Sequence, residues 1–354
     1  MTGTQQNKVA LVVGATGIIG TALVQTLLSA PGWNVRALSR QPVSDVSTIG
    51  ADLSDPSALK AALAAARDTT HVFYAALAPR PTLADENAVN GAMLRNLLDG
   101  LYAVGAPLRR IVLYQGAKVY GVHLGRVPSP FYEDENPRHM GPNFYFTQQD
   151  ELCDRQAKGG PDWSILRPDV VVGNSIGSSM HIAMVIGMFA ALTKASGATF
   201  RFPGSNRVYE DVLAQITDAN SLARASLWAA QADGARNEAF NYVQSPFRWR
   251  RIWERIGEAF SLECGPPMPL RLANHMADKA DMWGKMVRNS GLLERPFSDA
   301  VGWPFGDFVF NTEFDMVSDM GKIRRAGFHE DPDPAASLIN AIRQLQEMRA
   351  LPRL

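Results

Sequence analysis

Cysteine is nearly absent: Cys153 and Cys264 are the only two in 354 residues. Two thiols this far apart give neither a disulfide framework nor a metal-ligand spacing, and they suggest a reducing cytoplasm. An excess of either charge is also absent. Lys and Arg total 35, Asp and Glu total 35, and the formal net charge is zero. No global basic field exists to attract nucleic acid or an anionic membrane, so neither is expected as a partner. Small neutral or locally anionic ligands fit better. Long apolar runs are missing too. The most apolar stretch, Ile182 to Leu192, ends at Thr193 and Lys194, too short to span a bilayer; it reads as a buried helix or a pocket wall. Met1 to Lys8 is polar and lacks the apolar segment of a secretory signal. The six histidines form no ligand cluster, His71 reads as a satisfied core residue, and no Ser-His-Asp set or acidic metal pair stands out.

What is present is an alternation of strand and helix signals. Apolar or β-branched runs occur at Val9–Val13, Asn34–Leu38, His71–Ala75, Arg110–Tyr114 and Trp163–Leu166. Between them lie helical patterns at Ile18–Leu28, Pro56–Ala66, Leu83–Val104 and Thr147–Ala157. Such alternation predicts an α/β chain with a doubly wound parallel sheet of the Rossmann type. After Arg167-Pro168 the pattern loosens, and Trp249 and Trp253 fall at helical spacing. Asn237–Val243 reads as a strand returning to the main sheet. The expected organisation is a nucleotide-binding domain over 1–175, rejoined by 205–245, with a smaller discontinuous lobe from 176–204 and 246–354.

The first strand runs into Gly14-Ala15-Thr16-Gly17-Ile18-Ile19-Gly20 and then a helix. This geometry turns backbone N–H groups and a helix N-terminus toward a pyrophosphate. The same glycines could serve tight packing alone. At the end of the second strand, NAD-binding folds place an acid on the ribose 2′-OH. Here the segment reads Leu38-Ser39-Arg40-Gln41, with no acid. Ser39 and Arg40 suit a 2′-phosphate, which predicts NADPH/NADP; the alternative for Arg40 is a solvated surface charge. Arg36, in mid-strand, is a weaker second candidate. Asp52 could accept from the adenine amino group with Leu53 against the ring, while Asp55 caps the helix begun by Pro56. Ala75 and Ala76 end the fourth strand, where small residues admit a nucleotide.

A nicotinamide pattern whose second strand ends in arginine resembles the short-chain dehydrogenase/reductase superfamily, whose usual signature is Tyr-x-x-x-Lys on a helix. Tyr114 and Lys118 have that spacing, but Tyr114 lies in a strand and Gly116 breaks it. The better tyrosine is Tyr145, and four residues on sits Gln149, which carries no charge. Lys118 is then the natural source of the cation. Two segments carry a closer likeness: Gln115-Gly116-Ala117-Lys118-Val119-Tyr120 and Asn143-Phe144-Tyr145-Phe146-Thr147-Gln148-Gln149-Asp150. On these motifs the chain resembles the progesterone 5β-reductase/iridoid synthase-like enone reductases, and the likeness covers nearly the whole chain. It departs at Gln115, Val119, Gln149 and the single arginine Arg40, and Val119 bears on substrate preference.

The resemblance implies NADPH-dependent 1,4-reduction of an activated C=C bond in an enone or enal. Tyr145 would donate to the carbonyl oxygen, and Lys118 would orient the cofactor and bias the phenol. Read alone, Tyr145 could be a capping aromatic and Lys118 a solvated charge. The cofactor contacts expected are Gly14, Thr16, Gly17, Ile18, Ile19, Gly20, Ser39, Arg40, Asp52, Leu53, Ala75, Ala76, Gln115, Lys118, Tyr145, Pro168, Val170 and Val171. Phe144, Phe146, Met180 and Met184 are candidates to flank a small apolar substrate, although Met180, Met184 and Met188 also read as a core stripe. Asn90 could hold water or be structural. A homodimer is compatible with this reading. Two rival readings stand: a nucleotide-sugar epimerase or dehydratase, and a non-catalytic NADPH sensor.

Overall fold

The structure, a computed structural model, describes residues 8–135 and 140–354. The polar segment 1–7 lies outside the described residues. Seven strands form one parallel sheet: β1 (Lys8–Val13), β2 (Trp33–Ser39), β3 (Ser47–Gly50), β4 (His71–Tyr74), β5 (Arg110–Tyr114), β6 (Asp162–Arg167) and β7 (Glu238–Asn241). Their order across the sheet is β7-β6-β5-β4-β1-β2-β3. The Rossmann architecture read from the alternating pattern is therefore present, and the strand read near 237–243 is its outermost member beside β6.

The apolar runs of the central strands follow from burial on both faces. Along β1, Ala10 and Val12 face one core with Val35, Phe73 and Val112, and pack on α1 (Ile18–Ser29) and the helix Ala219–Gln231. Leu11 and Val13 face the other, with Leu38, Val72 and Leu113, under α2 (Pro56–Ala62) and α3 (Leu83–Ala103). This two-residue alternation is the pleat expressed as layers. The strand order reverses between β1 and β4, so the loops after these strands part and leave a crevice at the C-terminal edge.

A second core covers that edge. It is built on α5 (Ile182–Ala195), whose residues 182–192 are all buried, as the apolar stretch suggested. The helices Trp249–Phe260, Trp303–Phe310 and Pro334–Glu347 enclose it. Phe200 stacks on Trp253 with centroids 4.3 Å apart, and Phe202 meets Trp253 and Phe310 edge-on. Val208, Tyr209, Val212 and Ile216 also belong to this core, so 205–216 packs with the smaller lobe rather than with the sheet. The chain rejoins the sheet layer at Ala219, whose helix packs on α1. Among the described residues, no helix is long and apolar enough to cross a membrane.

Candidate functional site

The glycine turn sits at the crevice between β1 and β4. Gly14 has φ +78°, and a Cβ there would lie 2.8 Å from the backbone of Ala75 and Ala76. A Cβ on Gly20 would lie 2.2 Å from the Gly14 carbonyl oxygen. Both glycines are required by the protein's own backbone. Gly17 is different: the nearest atom to a Cβ built there is the Gly14 carbonyl oxygen, at 3.5 Å. Gly17 is the N-cap of α1, and no side chain caps the helix. The amides opening α1 are therefore left for an anion arriving over an uncluttered glycine, which is the fit a dinucleotide pyrophosphate needs.

At the adenosine end, Ser39 closes β2, and its hydroxyl oxygen accepts from the Gln41 N–H at 3.2 Å. Arg36 is removed as a phosphate candidate, because its guanidinium forms a fork with Asp68. Asp52 takes the Ser54 N–H at 2.8 Å and the Ser54 hydroxyl; these bonds hold its carboxyl below the usual range, helped by the charges of Arg40 and Arg80. Arg80, from the loop after β4, is thus a second cation at this edge, and nothing in the local sequence pattern singled it out. Leu53 is buried, and Asp55 caps α2 through Ser57 and Ala58 as its position suggested.

Asn90 has a structural role. Its amide clamps the loop after β4, accepting from Ala78 N–H at 2.8 Å and donating to Ala78 and Glu86 carbonyls. That loop carries Ala75 and Ala76 past the glycine turn, so Asn90 shapes one wall of the crevice.

Tyr145 lies in the first turn of α4 (Phe144–Ala157), which begins three residues earlier than the sequence pattern suggested. Asn143 is the reason. Its side chain accepts the Tyr145 N–H at 3.0 Å and donates to the Lys118 carbonyl at 3.1 Å. One residue thus starts the helix and ties the two motif segments together. The Tyr145 ring rests on Phe144, with centroids 4.2 Å apart. A Cβ on Gly116 would sit 3.1 Å from the Tyr145 hydroxyl oxygen, so a side chain there would push the phenol back by a few tenths of an ångström from the end of β5. Burial, with the nearby acids Glu86 and Asp169, pushes the phenol up to about 12, opposed by the Gly116 backbone. Tyr145 is held as a proton-bearing hydrogen-bond donor.

Lys118 stands in the short helical turn Ala117–Tyr120 after β5. Its ammonium pairs with the Glu86 carboxylate at 3.7 Å and is 45% exposed. The charges that bear most on the phenol are therefore acidic, and Lys118 offsets the one on Glu86. The side chain of Gln115, a residue expected among the cofactor contacts, turns inward. It is fully buried, donates to the Tyr145 carbonyl at 3.0 Å and to Gln149 at 3.3 Å, and accepts from Arg167 at 3.1 Å. Arg167 continues to the Tyr120 hydroxyl at 3.0 Å, which donates to Asn241 at 2.6 Å. This buried network fixes β5, β6 and β7 behind the site.

Candidate substrate contacts divide. Phe144 and Phe146 are buried; Phe146 packs with Val119, Tyr120 and Phe131 in a small core rather than lining a wall. Met184 is buried inside the second core, and Met180 precedes α5 and is exposed, so the two do not share a helical stripe. A small apolar cleft lies elsewhere in the fold. Val208, Val212, Trp249, Phe308 and Met316 surround it, beside Asp169 and Val170. Pro168 is buried, and Val171 starts the short strand that follows.

Comparison with known proteins agrees with this assembly. The PRISE-like Rossmann-fold domain family matches residues 43–352. The chain is 32% identical to (S)-8-oxocitronellyl enol synthase of Nepeta cataria over 367 residues, covering 98% of this chain and 93% of the relative. It is also 32% identical to 3-oxo-Δ4,5-steroid 5β-reductase of Arabidopsis thaliana over 365 residues, with the same coverage. Among solved structures, an epimerase of Methanothermobacter thermautotrophicus shares the fold at a TM-score of 0.68 and 17% identity, over 96% of this chain and 93% of that one. A UDP-glucose 4-epimerase of Thermotoga maritima does so at 0.67 and 15%, over 96% and 99%. Its motifs, its sheet order and a family match spanning most of its length show that the chain belongs to the PRISE-like Rossmann-fold family.

Proposed function

We propose that this protein is an NADPH-dependent oxidoreductase that reduces the activated C=C bond of an enone or enal. The observation that carries the reading is the Tyr145 hydroxyl, kept protonated by burial and lying close to Gly116 at the C-terminal edge of β5, beside the crevice that suits a dinucleotide. Relatives matched over 98% of the chain are named as a steroid 5β-reductase and as enol synthases, which supports the same chemistry.

Gly14, Gly17, Gly20 and the amides opening α1 would hold the pyrophosphate, and Arg40, with Ser39, the 2′-phosphate. When bound, NADPH supplies hydride to the β-carbon of the conjugated carbonyl compound. Negative charge then grows on the carbonyl oxygen, where the Tyr145 O–H donates a hydrogen bond preorganised by Asn143 and Gly116. Lys118 neutralises Glu86, which otherwise adds negative potential at the phenol and opposes enolate formation.

Stopped-flow oxidation of NADPH with 2-cyclohexen-1-one tests the reading. Turnover by the wild type, lost in both Tyr145→Phe and Lys118→Met, is the expected result. Wild-type rates in both variants would refute the residue roles, and NADPH binding without turnover of any enone would favour a sensor. Turnover of a nucleotide sugar on tightly bound NAD(H) would favour the epimerase reading.

A further inference from the structure

Gln115 and Gln149, two positions at which this chain departs from the family motifs, touch each other. Gln115 follows the last residue of β5 and its side chain is fully buried. Its NH2 group donates to the Tyr145 backbone carbonyl at 3.0 Å and to the side-chain oxygen of Gln149 at 3.3 Å. Its own oxygen accepts from Arg167 Nε at 3.1 Å. These partners leave the amide one orientation. A guanidinium only donates and a backbone carbonyl only accepts, so a flipped amide would set N–H against N–H and oxygen against oxygen.

The anchor behind Gln115 is built from the sheet. Its backbone N–H donates to the Leu166 carbonyl at 3.0 Å. Arg167, buried at the end of β6, donates from Nη1 to the Tyr120 hydroxyl at 3.0 Å and to the Glu133 carbonyl at 3.2 Å, and Tyr120 donates to Asn241 of β7 at 2.6 Å. A line of hydrogen bonds therefore runs from β7 to the backbone of the residue that carries the phenol. The helix does not need this bond to close. Asn143 caps it through the Tyr145 N–H, and α-helical geometry already offers the Tyr145 carbonyl the amide four residues on. The Gln115 bond is an additional one on that oxygen, and it joins the first turn of α4 to β5. The next residue, Gly116, is the one beside the Tyr145 hydroxyl. Two consecutive residues after β5 thus meet the two ends of the tyrosine.

We propose that Gln115, oriented by Arg167, is a positioning residue for Tyr145: its amide sets how the first turn of α4 lies against the end of β5, and so where the phenol meets the substrate's carbonyl oxygen. The inference deepens the enone-reductase reading and takes its catalytic consequence from it. Gln149 is the second arm of the same device. It stands four residues after Tyr145, on the same face of α4. One side chain therefore holds two points on that face, which resists both rotation and sliding of the turn. A hydrogen bond aimed at a developing charge works only within narrow geometric limits, and a displacement of about 1 Å costs rate through misplacement rather than through lost cofactor affinity. Where the superfamily signature places a cation after the tyrosine, this chain has an amide braced by a buried cation from the sheet.

The test compares wild type, Gln115→Met and Gln115→Glu by urea unfolding, by kinetics of NADPH-driven reduction of 2-cyclohexen-1-one, and by NMR of protein labelled with 13Cζ-tyrosine, in which Tyr145→Phe assigns the Tyr145 signal. Methionine fills the space of Gln115 and makes none of its bonds. Glutamate keeps the acceptor for Arg167 and loses both donors to α4. In both variants kcat should fall about tenfold to hundredfold with the KM for NADPH unchanged. The Tyr145 signal should shift while that of Tyr209, in the smaller lobe, stays in place. A folded Gln115→Glu with the wild-type kcat and the wild-type Tyr145 signal overturns the inference. So does a Gln115→Met that loses stability alone, since a merely structural strut would move neither kcat nor the phenol. Should both Gln115 variants fail to fold, Gln149→Leu takes their place, and a Tyr145 signal unmoved in it overturns the inference. A wild type inactive on enones would refute the activity reading and leave the NMR to decide: a shifted Tyr145 signal in the variants supports the positioning role, and an unshifted one overturns it.

Discussion

At Tyr145 two local facts decide the chemistry: a phenol whose proton is held by burial and neighbouring acids, and a glycine that leaves it room at the sheet edge. Both can be probed one residue at a time. Asn143→Ala removes the cap of α4 and the tie to the Lys118 loop. It should cost about 1 kcal/mol of stability, the usual loss for a cap, and lower kcat more than it raises the KM for enone. Urea unfolding with steady-state kinetics checks this, and an unchanged kcat would contradict a positioning role. Arg40→Ala should raise the KM for NADPH about tenfold to hundredfold, the worth of a charge-assisted hydrogen bond, while leaving NADH kinetics unchanged. Equal effects on both cofactors would show that Arg40 does not meet the 2′-phosphate.

Among elements, the β1–α1 turn separates packing from ligand binding. Gly14→Ala must place a Cβ against Ala75 in a left-handed conformation, and it should destabilise the fold. Gly17→Ala meets only the Gly14 carbonyl oxygen, at ordinary contact distance, and should fold normally yet bind NADPH at least tenfold more weakly, by about 1.4 kcal/mol. Calorimetric titration and thermal unfolding separate the two, and normal NADPH affinity in Gly17→Ala would mean that the turn is only a packing device. This turn was legible in the sequence because everything it needs is local: strand, glycines and helix within a dozen residues. The start of α4 was less legible because it depends on Asn143, whose cap also bonds the distant Lys118 loop. Gln115 could not be read as a strut without knowing that Arg167 and Gln149 converge on it. The cleft wall escaped for the same reason, since Val208, Trp249, Phe308 and Met316 meet only in the folded chain.

On the scale of the whole molecule, burial of His71 and His181 links stability to pH. Desolvation lowers both to about 4, and at His71 the charges of Arg109, Arg110 and Lys8 add to it. Their folded values lie below the ordinary 6.5, so the unfolded chain binds more protons in this range and stability falls as pH drops from about 6.5 to 4. Urea unfolding at pH 7.5 and pH 5 should show the loss, and His71→Asn and His181→Asn should each flatten the dependence. A stability unchanged between these two values would contradict the burial of both rings. The parallel sheet was readable at this scale because strands buried on both faces are apolar throughout. The smaller lobe was not, because its aromatic core joins segments from 172 to 351 whose partners lie far apart in sequence.

The central claim is that the Tyr145 O–H stabilises charge on a carbonyl oxygen beside bound NADPH. It is tested most directly by single-turnover stopped-flow of the NADPH complex with 2-cyclohexen-1-one, comparing wild type with Tyr145→Phe. The reduction step should slow by about 10²–10³-fold in the variant with NADPH affinity unchanged. An unaltered reduction rate in Tyr145→Phe would contradict the account.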